Sequence, residues 1–127
     1  MVISERPTDP GDQPFSRNDH KRAHPKQRLH KGISASETHR SQERFVAVTS
    51  TGSAITITIG SNLIRRTSHF FYVIDEGGGA ATDNITLATE GSETINGSGT
   101  YTMDENREAV GVYSNGTNLF VFASFLE

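Results

Sequence analysis

The chain has 127 residues, 33% of them hydrophobic, no cysteine and a formal net charge of −3. That length fits one domain, and the lack of cysteine excludes both a disulfide framework and a thiolate metal site. The charge is split: residues 1–43 carry eight Lys and Arg against six Asp and Glu, whereas residues 44–127 carry four against nine. A basic segment joined to an acidic body suggests that the basic part contacts a negatively charged partner surface.

Residues 1–16 hold Pro7, Pro10, Pro14 and Gly11, which interrupt both helix and strand, so extended chain is expected. They show no basic region followed by an apolar run, so no secretory signal is expected. Nowhere does an apolar run approach the roughly 20 residues of a spanning helix, so no membrane partner is expected. Residues 17–31 hold six Lys and Arg and three His against Asp19 alone. Such a segment reads either as a solvated tail or as an anchor that orders against a partner. In the second reading the contact residues are Phe15, Arg17, Lys21, Arg22, Lys26, Arg28, Leu29 and Lys31. No aromatic interleaves these charges to stack on bases, which disfavours nucleic acid. His20 and His24 would share a helix face, but Pro25 disfavours helix at His24, so no metal is expected there. Ser34 to Gln42 is read as a short helix capped by Ser34 or Ser36. Residues 1–43, with few large apolar side chains, are therefore read as an extended arm.

At Arg44 the texture changes, and residues 44–127 are read as a β-rich module. Phe45 to Val48 begins a strand. Ile55-Thr56-Ile57-Thr58-Ile59 alternates strictly, the period-2 mark of a half-buried strand. Residues 68–75, Ser-His-Phe-Phe-Tyr-Val-Ile-Asp, form the most β-prone run and end at the Gly77-Gly78-Gly79 turn. Further strands are expected at Asn84–Leu87, Glu93–Ile95, Tyr101–Met103, Glu108–Ser114 and Asn118–Ser124. Asn115-Gly116 between the last two predicts a hairpin with a type I′ turn. The fold class is all-β, a small antiparallel sandwich or barrel-like module.

Two strands are apolar on both faces. In Phe70-Phe71-Tyr72-Val73-Ile74 neither alternate set is polar. In the last strand Leu119, Val121, Ala123 and Phe125 form one set, and Phe120 and Phe122 the other. A second apolar face needs a second cover, which predicts an obligate oligomer. Its interface residues are Phe70, Tyr72, Ile74, Leu119, Phe120, Val121, Phe122 and Phe125.

No set of acid, base and nucleophile converges, so neither an enzyme nor a cofactor is expected. Asp75 and Glu76, and Asp104, Glu105 and Glu108 beside Arg107, read as solvated loop charges. His69 reads as structural. Gly77–Gly79 lacks the Lys-Ser/Thr and following helix of a phosphate loop. Asn84, Asn96 and Asn115 match the glycosylation pattern, but turn chemistry accounts for all three.

Residues 45–122 resemble a β-module found in virion proteins of tailed bacteriophages, notably tail fibres, spikes and capsid-attached fibres. The likeness rests on Phe70–Ile74, the acidic glycine turn Asp75–Gly79, Asn84–Leu87, Gly91-Ser92-Glu93-Thr94-Ile95-Asn96-Gly97, Tyr101, and Val110–Phe122 with Ser114-Asn115-Gly116-Thr117-Asn118. Where that pattern carries Asn-Trp, this chain has Asn118-Leu119. The resemblance implies a homotrimer with apolar strand faces buried about a threefold axis. It also implies a virion location. The expected role is a capsid decoration or cement protein whose arm binds the major capsid protein. A short tail fibre or tail adaptor is the alternative in the same particle, and a module that binds host glycans is the alternative of a different class.

Overall fold

Strict alternation in Ile55–Ile59 sends three isoleucines to one side and two threonines to the other. The computed structural model describes residues 29–49 and 52–126. Among these residues the strands are β1 (His30–Ile33), β2 (Glu37–His39), β3 (Phe45–Val48), β4 (Ile55–Ile59), β5 (Phe70–Asp75), β6 (Ile85–Thr89), β7 (Thr100–Met103), β8 (Ala109–Ser114) and β9 (Leu119–Phe125). One helical turn, α1 (Ser61–Ile64), follows β4. The chain is all-β.

The strands form two sheets. Sheet I has the order β1-β3-β5-β8-β9 and sheet II the order β2-β4-β6-β7. From β1 to β6 the chain alternates between the sheets and adds one strand to each per winding. Neighbours laid down this way run in the same direction, so β1-β3-β5 and β2-β4-β6 are parallel. The expected antiparallel module is corrected here: antiparallel pairing begins only where β7 folds back on β6, β8 on β5 and β9 on β8. The barrel-like alternative is also corrected. The sheets stay separate, with β1 and β9 at the edges of one and β2 and β7 at the edges of the other.

The core lies between the sheets. Val46, Val48, Phe71, Val73, Val110 and Val112 face inward from sheet I, and Ile55, Ile57, Ile59, Ile85, Leu87 and Met103 from sheet II. Each large aliphatic side chain buried in this way contributes about 1.5–3 kcal/mol. Leu63 and Ile64 of α1, Ala80 and Ile95 complete the cluster. The outer face of sheet II is polar, with Thr56, Thr86 and Thr102 in one cross-strand row.

The boundary at Arg44 moves. β1 and β2 lie within the residues read as arm, and Ile33 and His39 are buried. Their backbones continue the sheets, as when the Leu29 carbonyl accepts from the Phe45 amide at 2.8 Å. Ser34–Gln42 is not a helix: Glu37–His39 pairs with Ile57–Ile59 instead. Sheet pairing supplies this short polar segment with partners that its own sequence does not reveal. Residues 1–28 lie outside the described residues, and with them Phe15, Arg17, Lys21, Arg22, Lys26 and Arg28.

Turn chemistry is correct in place and different in kind. Between β8 and β9 only Gly116 has positive φ, at 96°. The Asn115 carboxamide oxygen accepts from the Thr117 and Asn118 amides, both at 2.9 Å, which closes a four-residue loop rather than a type I′ turn. Positive φ at two successive residues occurs instead at Asn96 (53°) and Gly97 (84°), beneath the Ile95–Ser98 bridge.

An aromatic face as the candidate functional site

On β5, Phe71 and Val73 enter the core, so Phe70, Tyr72 and Ile74 point out. On β8, Val110 and Val112 enter the core, so Ala109, Gly111 and Tyr113 point out. Register then assembles the outer face. Phe70, Tyr113 and Phe120 form one cross-strand row; Phe45, Tyr72 and Gly111 form the next; Ala47, Ile74, Ala109 and Phe125 form the third.

A β-bulge completes the face. Val112 pairs with Val121 and Gly111 with Ala123, which leaves Phe122 as an extra residue in β9. Phe122 lies over the missing side chain of Gly111. A Cβ there would sit 2.8 Å from Phe122 Cζ and 2.9 Å from Tyr72 Cε1, so any larger residue would push the rings aside. The bulge also shifts the alternation. Phe125, expected on the face of Leu119, pairs with Ala109 and joins the outer face.

The rings touch in a continuous network. Phe45 stacks on Tyr72 with centroids 5.6 Å apart, and Tyr72 meets Phe122 edge-on at 5.8 Å. Phe122 also meets Phe70 at 6.5 Å and Tyr113 at 6.0 Å, and Tyr113 meets Phe120 at 5.7 Å. These separations are those of favourable aromatic pairs. The Arg44 guanidinium lies 4.2 Å from the Phe70 ring centroid and donates to the Phe70 carbonyl at 2.6 Å. Within this network Ser68, Phe70, Tyr72, Tyr113 and Phe122 line a shallow open cradle of about 490 Å³. No charged side chain lines it.

Of the expected interface residues, Phe70, Tyr72, Ile74, Phe120, Phe122 and Phe125 share this face. Leu119 does not: it is 1% exposed in the chain's own core, and Val121 packs against that core. Both are removed from the interface set, because sheet II already covers that side. Leu29 and Lys31 lie at β1, where the Lys31 ammonium pairs with Glu37 at 2.8 Å. Phe45 and Tyr113 were missed. Each is the single large ring on its strand, and only cross-strand register brings it to the cluster.

The carboxylates have structural partners. Asp75 is buried rather than solvated, and its oxygens accept from the amides of Gly78 (2.9 Å), Ala80 (3.0 Å) and Arg107 (3.0 Å). Glu108 accepts from the Asp104 and Glu105 amides, and burial pushes its carboxyl up. Glu76 pairs with His30 at 3.2 Å. Arg40 grips Glu90 with two hydrogen bonds, one of 2.9 Å.

His39 and His69 flank the Phe71 ring at centroid distances of 5.4 and 5.9 Å. His39 is fully buried with neither ring nitrogen hydrogen-bonded, and its Nδ1 lies 3.9 Å from Glu43. Burial lowers the pKa of both, that of His69 to about 4, helped by Arg44 and Arg66. Among the described residues no group of three His, Asp or Glu could hold a metal ion, and no helix is long and apolar enough to cross a membrane. No protein-family model and no curated protein matches the chain.

Proposed function

We propose that the chain is a non-enzymatic structural protein of a bacteriophage virion. It decorates or cements the capsid, trimerises through the outer face of sheet I, and binds the head surface through its N-terminal residues. One observation carries the oligomer: a contiguous aromatic face, with Arg44 over one of its rings and no charge lining its cradle, on a sheet whose other face already packs on sheet II. Soluble monomers rarely leave such a patch bare, and interface cores are enriched in Tyr and Phe. The virion role is supported by the sequence resemblance and by the basic character of residues 17–31, which suits an acidic shell. Three arms on one trimer need only modest affinity each, since later contacts are intramolecular. The same construction suits a short tail fibre or tail adaptor, with the arm on a tail protein.

The experiment is light scattering followed by cosedimentation with undecorated heads. The expected mass is three chains, bound to heads. A chain beginning at Leu29, which keeps β1 whole, should retain the trimer mass and lose the heads. A monomeric full chain, or a shortened one that still decorates, would sink this reading. Particle imaging separates head from tail.

A second reading rests on the cradle itself. Its four rings and the Ser68 hydroxyl offer a stacking surface for a sugar, which supports a glycan-binding adhesion module. Glycan-array binding by a monomer would favour it.

A further inference from the structure

The outer face of sheet I carries two apolar features that do not meet within one chain. The first is the open cradle lined by Ser68, Phe70, Tyr72, Tyr113 and Phe122. The second is the end of β9, where Phe125 and Leu126 are 56% and 61% exposed, the barest large apolar residues described. Phe125 pairs with Ala109, four positions along β8 from Tyr113. At ~3.4 Å per residue it stands about 14 Å along the strands from the Tyr113 row and about 7 Å from the Tyr72 row, fixed there by the ladder. Among the described residues no ring stacks on it. The ladder holds Phe125 beside the cradle of its own chain, outside its lining.

We infer that the cradle of one copy receives Phe125 of a second copy. This rests on the oligomer reading above and names its contact. The rings of the cradle are set at steep angles to one another, 82° for Phe70 and Phe122, so an entering phenyl ring can meet edges and faces together. Knob and hole are different patches, so each copy donates one and accepts one. A contact of that kind is heterologous and closes into a ring when the rotation permits. Threefold closure would use every knob and every hole.

Two variants of the full chain test this by light scattering and sedimentation. The first is Phe125→Ser with Leu126→Ser, which removes the knob and alters only exposed side chains. The second is Tyr113→Asp, which places a charge in the hole. Each alone should be folded by circular dichroism and should dissociate at a concentration at least tenfold above that of the unaltered protein. Mixed one to one, they should form a dimer and nothing larger, because one intact knob still meets one intact hole. If the knobless variant keeps the parent mass, the inference falls while the oligomer reading stands. If the mixture stays monomeric, the contact is not heterologous and the inference also falls, a sugar or another protein then being the occupant of the cradle. If the unaltered chain is itself a monomer, both readings fall. The knobless variant decides the matter even where Tyr113→Asp fails to fold.

Discussion

Two histidines are held neutral against one phenyl ring. His39 and His69 sit beside Phe71, and burial is the main cause of their lowered basicity. The unfolded chain titrates near the ordinary 6.5, whereas folded His69 titrates at about 4. Between those values the unfolded state takes up protons that the folded state refuses. Stability is therefore full above about pH 6.5 and declines as pH falls toward 4, by about 1–3 kcal/mol over the window. Urea unfolding between pH 7 and 4.5 should show the decline, and His69→Gln should flatten it. An equal slope in the variant would mean that other groups set it. Glu43 and Glu90, whose pKa values lie below the ordinary carboxylate value, act only at lower pH.

β8 and β9 work as a unit because a residue too many in one strand meets a side chain too few in the other. Phe122 is the surplus and Gly111 the deficit. Gly111→Ala should cost about 1–3 kcal/mol by overpacking Phe122 and Tyr72. Thermal unfolding measures it, and an unchanged Tm would show that the rings have room to move. The alternation of Ile55–Ile59 and Phe70–Ile74 was legible in the sequence, and so was the outward set Phe70, Tyr72 and Ile74. A bulge is not. It depends on which residue of a partner strand lies opposite, so the sequence assigned Phe125 to the wrong face. β2 was hidden for the same reason: Glu-Thr-His has no strand signature, and Ile57–Ile59 supplies one. The cluster of Phe45 with Tyr72 likewise joins residues 27 apart in sequence, through register alone.

At the scale of the whole molecule, strands that follow one another from β1 to β6 never pair with one another. The sequence showed strands and turns but not this itinerary, because direction of pairing is set by the connections and not by local pattern. Only β6 with β7 and β8 with β9 are both adjacent in sequence and bonded in space. Closing short loops costs least and proceeds fastest. Folding is therefore expected to start from these two hairpins and to add the earlier strands afterwards, β5 onto β8 and β4 onto β6, then outward to β1 and β2. Pulse-labelled hydrogen exchange should protect Val112 and Leu87 before Val46, and the reverse order would refute the scheme. On the ribosome the consequence is a delay. The template emerges after the strands it receives, so β1 to β5 must wait until β8 and β9 have been made.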